Sequence, residues 1–152
     1  MKIYLGTDHA GFELKEHLKQ FLSVKGYDVI DDGALIYDKD DDYPDFCAAA
    51  ARHVAENPGS FGFVFGKSGT GELIVANKVK GVRCGLAVNE ENVRLAREHN
   101  DANMLSFGSV FATPEQMESL ALLFITTPFS GEERHKRRIE KIREIERFGN
   151  KV

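Results

Sequence analysis

The chain has 152 residues, of which 42% are hydrophobic and 29% are charged, and its formal net charge at pH 7 is −4. A chain of this length suits one domain, residues 1–152, with a sizeable core. No apolar run approaches the roughly 20 residues that a transmembrane helix needs, and a net negative charge does not favour nucleic acid. Neither a membrane nor a nucleic acid is therefore predicted as a partner.

Apolar segments alternate with segments of helical periodicity along the whole chain. The predicted strands are residues 3–7, 29–30, 61–65, 82–88 and 103–107. The predicted helices are residues 14–22, ended by Gly26, and 44–57, 73–79, 89–98, 114–124 and 131–148. This alternation predicts an α/β fold, a three-layer αβα sandwich around a five-stranded parallel, Rossmann-like sheet. No strand follows the last helix, which is expected to pack on a partner subunit.

The two cysteines, Cys47 and Cys84, lie in apolar segments and lack the spacing of a CxxC pair. Buried free thiols in a reducing cytoplasm are the predicted state. Residues 1–6 enter a strand pattern directly, which predicts no signal peptide. No cluster of histidine, cysteine and carboxylate residues has convincing metal spacing. We therefore expect a cytoplasmic protein without a metal site.

A glycine-rich turn follows the third predicted strand and precedes a helix. Its residues are Gly66, Lys67, Ser68, Gly69, Thr70, Gly71 and Glu72. Glycines let backbone N–H groups approach an anion closely, and a helix N-terminus adds positive potential. With a hydroxyl and a carboxylate in the same turn, the pattern indicates chemistry on a small oxygen-rich substrate, with Glu72 as a base. The alternative is a tight connection with a capping carboxylate, because Glu is favoured in a first helical turn.

Two histidines stand beside carboxylate or amide side chains at predicted element ends. Asp8 and His9 follow the first strand, and ligands of parallel sheets bind beyond the carboxyl ends of the strands. We expect them to share a crevice with the glycine turn, although Asp8 is equally suited to cap a helix. His99 follows a helix and precedes the fifth strand, which predicts the opposite, amino end of the sheet. A lone histidine there is more often a helix C-terminal residue than a catalytic one.

Charge is unevenly distributed. Residues 38–45 form an acidic loop, and residues 134–147 hold seven Lys or Arg against three Glu. Such a run is usually a solvated helix face. Arg134 and Arg138 nevertheless lie one helical turn apart, and with His135 they could bind a phosphate, since guanidinium groups match phosphate oxygens.

Six motifs occur in order along nearly the whole chain. They are Gly6-Thr7-Asp8-His9-Ala10-Gly11, Asp42-Tyr43-Pro44, Gly69-Thr70-Gly71, Ala76-Asn77-Lys78, residues 97–103 (Arg-Glu-His-Asn-Asp-Ala-Asn), and Arg134-His135 with Arg138. Together they resemble the ribose-5-phosphate isomerase B family, whose relatives include galactose-6-phosphate and allose-6-phosphate isomerases. The resemblance implies an aldose–ketose isomerase that needs no metal or organic cofactor.

The resemblance also implies roles at the reacting carbons. Glu72 would take a proton from the carbon beside the carbonyl and return it to the neighbouring carbon. Ser68 and the N–H groups of the glycine turn would hold the enediolate oxygens. Asp8 and His99 would open the furanose ring, with His99 as the acid toward the ring oxygen.

The remaining implied roles concern substrate binding. Asn100 would help to bind the sugar, and Tyr43 would line the pocket. His9, Arg134 and Arg138 would hold the phosphate, with His135 nearby.

The sequence departs from the family pattern at two positions. Many members carry a catalytic cysteine where this chain has Gly66, so thiol chemistry is excluded there, and the chain resembles a subgroup with a glutamate at the position of Glu72. The family often has an arginine where this chain has Val110. Substrate identity is thus open between a pentose phosphate and a six-carbon sugar phosphate, and a flavodoxin-like domain that binds a phosphosugar without turnover is a third alternative.

The positions of the candidate residues also predict an assembly. Asp8, Ser68 and Glu72 belong to the carboxyl end of the sheet, whereas His99 belongs to the amino end. One small domain cannot easily bring both ends to one substrate, but a two-fold axis can. We therefore expect a homodimer with shared active sites, or a tetramer built from such dimers.

Overall fold

The structure, a computed structural model, describes residues 1–149. Its strands are β1 (Lys2–Thr7), β2 (Asp28–Asp31), β3 (Phe61–Gly66), β4 (Cys84–Leu86) and β5 (Met104–Gly108). Its helices are α1 (Phe12–Val24), α2 (Tyr43–Glu56), α3 (Thr70–Ala76), α4 (Glu90–Asn100), α5 (Pro114–Thr126) and α6 (Glu133–Phe148). A short 3₁₀ helix, His9–Gly11, connects β1 to α1.

The five strands form one parallel sheet in the order β2-β1-β3-β5-β4. In its centre Ile3 pairs with Phe61, and Gly62 pairs with Met104. The predicted five-stranded parallel sheet is therefore confirmed. Because all strands run in the same direction, their carboxyl ends meet at one edge of the sheet and their amino ends at the other.

A hydrophobic core lies on each face of the sheet, because side chains of a strand alternate between the two faces. Ile3 and Leu5 of β1 join a cluster with α1 and α5 that is rich in phenylalanine. Tyr4 of β1 joins a second cluster, with α2 and α3. The strands β1, β3 and β5 are buried on both faces, as the three-layer αβα sandwich predicts.

The helix α3 and the edge strand β4 are shorter than predicted. The helix α3 ends at Ala76 rather than at residue 79, and β4 covers three residues rather than seven. The side chain of Asn77 accounts for the end of α3 and for the start of β4. Its amide donates to the Cys84 carbonyl at 2.9 Å and accepts from the Cys84 N–H at 2.9 Å. At the other end of β4, Asn89 caps α4 as predicted and accepts from the Asn92 N–H at 2.8 Å.

The apolar stripe of α6 is only partly covered within the chain. Ile139 is buried, whereas Ile142 and Ile145 are 40% and 58% exposed. Periodicity alone places these three residues on one stripe, but it does not tell which of them the domain covers.

The two cysteines are free thiols, as predicted. Cys47 is buried beneath β1, and burial raises the pKa of both thiols. Among the described residues, no helix combines the length and the hydropathy that crossing a bilayer requires.

Candidate active site

The predicted site residues fall into two groups at opposite edges of the sheet. The group at the carboxyl ends of the strands, here called the carboxyl-edge cluster, contains Asp8, His9, Tyr43, Gly66, Lys67, Ser68, Gly69, Thr70, Gly71 and Glu72. The group at the amino ends, the amino-edge cluster, contains His99, Asn100, Arg134, His135 and Arg138. His99 thus lies at the edge that the sequence predicts for it.

The glycine turn is held in place by the end of β5. Gly69 adopts a left-handed backbone conformation, with φ at 77°, which a residue with a side chain rarely adopts. Its carbonyl accepts a hydrogen bond from the Ser106 hydroxyl at 2.6 Å, and the Ser109 N–H donates to the Gly66 carbonyl at 2.8 Å. Ser68 accepts from the Thr70 N–H at 3.2 Å. The turn is therefore rigidly placed, while the side chains of Ser68 and Thr70 remain exposed to a ligand.

Glu72 is the buried acid of this turn, with 5% of its surface exposed. It lies in the first turn of α3, and its carboxyl group reaches back under Gly66. Burial raises the pKa of Glu72, and the nearby negative charge of Asp8 raises it further. A carboxylate with a raised pKa is a stronger base at neutral pH than an ordinary glutamate.

Asp8 and His9 stand beside this turn because β1 and β3 are neighbours. The Thr7 hydroxyl donates to the Phe65 carbonyl at 2.7 Å and so ties the ends of the two strands together. Asp8 Oδ1 accepts from the Ala10 N–H at 2.9 Å, which confirms the predicted cap. Asp8 thus caps the 3₁₀ helix and also lies close to Glu72, so its capping bond does not exclude a role in the site.

His9 is paired with Asp41. Both the backbone N–H and the ring Nδ1 of His9 contact Asp41 Oδ1, at 2.9 and 2.8 Å. The hydrogen bond to Asp41 raises the pKa of His9. Ligand atoms of Asp8, His9 and Asp41 lie within 4.8 Å of one another, as in many metal sites. Here the Nδ1 and Oδ1 atoms bond directly to each other, so the pair is arranged to share a proton rather than to hold an ion between them.

Tyr43 closes the carboxyl-edge cluster from the side of α2. Its ring lies so close to Gly71 that a Cβ atom at position 71 would come within 2.7 Å of the tyrosine Cζ. The predicted neighbours of Glu72 are therefore brought together as expected. Val110, where the family often has an arginine, is also adjacent, since its N–H donates to the Lys67 carbonyl at 3.2 Å.

The amino-edge cluster is organised by two stacked imidazoles. The rings of His99 and His135 have centroids 4.2 Å apart and planes inclined by 14°. His135 is buried, and burial lowers its pKa, as does its proximity to His99 and Arg134. Arg134 pairs with Glu132 at 2.8 Å, and Arg138 is exposed. Asn100, also exposed, is the last residue of α4 beside His99.

The two clusters of one chain are separated by the length of the sheet. A strand of five residues such as β5 spans about 16 Å, which exceeds the length of a pentose phosphate. The family resemblance implies that His9, Arg134 and Arg138 hold one phosphate. Within one chain these residues lie at opposite edges, because α6 begins beside the end of α4 and far from β1.

Asp41 contacts His9 in the site, but the sequence alone gives it no role. It belongs to the acidic loop of residues 38–45, where several similar carboxylates follow one another. No local pattern distinguishes Asp41 from its neighbours, since its contact with His9 joins residues 32 positions apart.

Comparison with known proteins identifies the family of the chain. The family model described as "Ribose/Galactose Isomerase" matches residues 3–142. A ribose-5-phosphate isomerase B from Mycobacterium tuberculosis is 49% identical over 147 residues, which cover 97% of this chain and 91% of the relative.

Solved structures are similar over the same range. A crystal structure of ribose-5-phosphate isomerase B from Mycoplasma genitalium with bound ribulose-5-phosphate has a TM-score of 0.92 and 37% identity, covering 96% of both chains. The ribose-5-phosphate isomerase B of Clostridium thermocellum also has a TM-score of 0.92, with 38% identity, 97% coverage of this chain and 98% of that chain. The match of the family model across both edges of the sheet, together with these relatives, shows that the chain belongs to the ribose/galactose isomerase family.

Proposed function

We propose that this chain interconverts ribose 5-phosphate and ribulose 5-phosphate through an enediolate, with Glu72 as the carbon base. The observation that carries the proposal is a buried carboxylate with a raised pKa inside a glycine turn. A module that only binds a sugar phosphate has no need of such a base. The names of the relatives, and the ribulose-5-phosphate bound in one of them, support the choice of substrate.

The proposed reaction moves one proton between two neighbouring carbons. Glu72 removes the proton from C2 of the open-chain aldose, and the electrons of that bond form an enediol carbon–carbon double bond while the carbonyl oxygen becomes negative. The same carboxyl then returns the proton to C1, while the proton of the O2 hydroxyl passes to the negative O1, which leaves a carbonyl at C2 and a hydroxyl at C1. Ser68 and the N–H groups of the residues 66–71 stabilise the negative oxygen, since preorganised donors contribute most where charge develops.

Ring opening and phosphate binding use the amino-edge cluster in this proposal. His99 protonates the ring oxygen, Asp8 assists at the hydroxyl that becomes the carbonyl, and Asn100 holds the sugar. Arg134 and Arg138 bind the phosphate beside His135, with His9 reaching it from the carboxyl edge.

These roles require two chains. We propose a homodimer in which the amino-edge cluster of one protomer covers the carboxyl-edge cluster of its partner, with a tetramer as a further assembly of such dimers. The length of the sheet between the clusters supports this, as do Ile142 and Ile145, which leave an apolar face of α6 uncovered. On this proposal residues 1–152 form a single isomerase domain, whose C-terminal helix packs on the partner. The free thiols suit a reducing compartment such as the cytoplasm.

A six-carbon sugar phosphate is the second candidate substrate. Val110 favours it, because this exposed apolar side chain beside Lys67 provides no charge toward a phosphate. A longer sugar would place its phosphate at a different position relative to the glycine turn.

The test is a panel of aldose phosphates with five and six carbons, assayed for ketose formation. We expect the highest kcat/KM for ribose 5-phosphate. The variant Glu72→Gln keeps the shape of the side chain and removes its basicity, so kcat should fall by about 100-fold to 10,000-fold with little change in substrate affinity.

A matched control is Glu115→Gln, which removes an exposed carboxylate from the first turn of α5. It should retain normal turnover. Higher kcat/KM for an allose or galactose phosphate would transfer the assignment to the six-carbon reaction. Binding of a sugar phosphate without conversion of any member of the panel would mean that the domain is not an enzyme.

A further inference from the structure

The pair formed by Asp41 and His9 extends the proposed function to a residue without an assigned role. We infer that Asp41 is a positioning residue, which orients the His9 ring and holds it as a charged imidazolium that binds the substrate phosphate. The inference rests on the proposed isomerase function for the identity of the phosphate, and on the contacts of Asp41 for the state of His9.

The geometry fixes both the position and the tautomer of the ring. Asp41 Oδ1 accepts from the His9 backbone N–H at 2.9 Å and contacts His9 Nδ1 at 2.8 Å. Two contacts to one oxygen orient the ring relative to its own backbone. With a proton held on Nδ1 by the carboxylate, Nε2 is the ring atom that remains for a ligand. The His9 side chain is 34% exposed, so a ligand can reach it.

The buried Asp41 carboxylate needs a positive group beside it, and His9 supplies that group. The Asp41 side chain is 9% exposed, and its Oδ2 atom is buried without a hydrogen-bond partner among residues 1–149. A buried carboxylate is costly unless a positive group compensates it. Within the described contacts of Asp41, His9 is that group.

The other groups that face His9 act in the same direction. The preceding residue, Asp8, and two residues of the acidic loop, Asp38 and Asp41, are negative, while Tyr37 contacts the ring edge-on with centroids 6.3 Å apart. The three carboxylates together raise the pKa of His9 above its ordinary value of 6.5, with the Asp41 hydrogen bond as the largest cause, and they outweigh the opposing effect of burial. His9 therefore gains positive charge near neutral pH. An imidazolium forms a charge-assisted hydrogen bond with a phosphate oxygen, which a neutral imidazole cannot equal.

The segment that leads into the acidic loop is anchored to the first strand. Lys15 of α1 is fully buried, and its ammonium donates to Asp31 and to the Ala34 carbonyl, each at 2.7 Å. The Ala34 N–H in turn donates to the Thr7 carbonyl at 2.8 Å, one residue before Asp8. The chain is thus attached to the end of β1 at Ala34, ahead of the acidic loop, and again within the loop where Asp41 accepts from the His9 N–H.

The first experiment follows the His9 ring nitrogens by NMR as a function of pH, in the protein without substrate. Asp41→Asn keeps the size of the side chain and removes its charge. Asp42→Asn is the control, because Asp42 is exposed, lies one residue away and makes no capping bond with its side chain. We expect the His9 midpoint to move to lower pH in Asp41→Asn and to stay in place in Asp42→Asn.

The second experiment measures KM for ribose 5-phosphate and the dissociation constant of inorganic phosphate in the same proteins. At about pH 5.5, below the ordinary histidine value of 6.5, the charge on His9 depends least on Asp41, so Asp41→Asn should bind almost as well as the unsubstituted protein. At about pH 8 its KM and its phosphate dissociation constant should be about fivefold to tenfold higher, because the variant loses charge on His9 and a charge-assisted hydrogen bond is roughly twice as strong as a neutral one.

The outcomes separate this inference from the proposed function. An unchanged His9 midpoint in Asp41→Asn would overturn the inference whatever the enzyme does. A lowered midpoint without pH-dependent loss of phosphate affinity would overturn the link between His9 and phosphate. A protein without isomerase activity would still give the titration and the phosphate affinity, so only the proposed function would fail.

A second pair of variants tests the effect of the charge even if Asp41→Asn misfolds locally. Asp41→Glu keeps the charge and Asp41→Gln removes it on a side chain of the same length. We expect a higher His9 midpoint in the glutamate variant than in the glutamine variant. Equal midpoints would contradict a role for the charge at this position.

Discussion

The carboxyl group of Glu72 occupies the space that a side chain on Gly66 would need. A Cβ atom at position 66 would overlap the Glu72 carboxyl carbon and Oε1 and would lie 2.6 Å from Oε2. On this backbone the Glu72 carboxyl group and a side chain at position 66 exclude each other. Position 66 is where many members of the ribose-5-phosphate isomerase B family carry a cysteine. The steric conflict explains why this chain has Glu72 and has no side chain at position 66.

The first prediction is that even a methyl group at position 66 disturbs the reaction. Gly66→Ala should displace the Glu72 carboxyl group, and because a shift of about 1 Å in a reacting group can cost about 100-fold, kcat should fall by that order. Gly85→Ala is the control, since its Cβ would meet no atom closer than 3.4 Å. Kinetics of the two variants, with circular dichroism to verify folding, make the comparison. Normal kcat in folded Gly66→Ala would show that the base does not need its observed position.

The second prediction concerns stability and pH. Burial raises the pKa of Glu72, so the folded protein binds this proton more tightly than the unfolded chain does. Ionising the group therefore costs stability, beginning as the pH rises past the ordinary value of 4.5 and reaching its full extent above the raised pKa. Glu72→Gln should leave the free energy of unfolding nearly unchanged at about pH 4 and increase it at about pH 8. Urea unfolding at both pH values measures this.

The opposite pH dependence would contradict the burial of an ionised base. Glu115→Gln is again the control, and as an exposed side chain it should change the free energy of unfolding little at either pH.

The third prediction is that Arg138 recognises the phosphate. Arg138→Ala should raise KM for ribose 5-phosphate by about tenfold or more, because a charge-assisted hydrogen bond is lost. Unphosphorylated ribose should be converted with unchanged kcat/KM. The neighbouring Arg137→Ala, which removes another exposed cation from a different face of α6, is the control. Equal losses with both sugars would indicate that Arg138 has a structural role.

The fourth prediction is that two inactive variants complement each other. Glu72→Gln should inactivate the carboxyl-edge cluster, and His99→Ala should inactivate the amino-edge cluster. In a heterodimer with shared sites, one site carries both changes and the other carries neither. Random pairing in a closed two-fold dimer should thus restore up to about a quarter of the normal activity.

Subunit exchange has to be demonstrated for this result to count, and mass spectrometry of an isotope-labelled mixture does so. If heterodimers form and activity does not return, both residues act in the same site from one chain. Each variant mixed with itself under the same conditions is the control.

Much of the fold follows from local features of the sequence. Apolar runs and helical periodicity predict the five strands and six helices, since each is determined by the face that a short segment must bury. The glycine turn and the Asp8 cap are also predicted, because backbone conformation and capping depend on residues a few positions apart. The topological argument for His99 at the amino edge is equally local, as it needs only the order of one helix and one strand.

Other features depend on residues that are distant in the sequence, and only the tertiary structure decides them. The stacking of His99 on His135, the pairing of His9 with Asp41 and the clash between Glu72 and a side chain at position 66 have no periodic signal. The exposure of Ile142 and Ile145 is of the same kind, because a stripe of isoleucines reveals that a surface is apolar and not what covers it. Periodicity records which face of an element is buried, whereas the distances between elements follow from packing the whole chain at once.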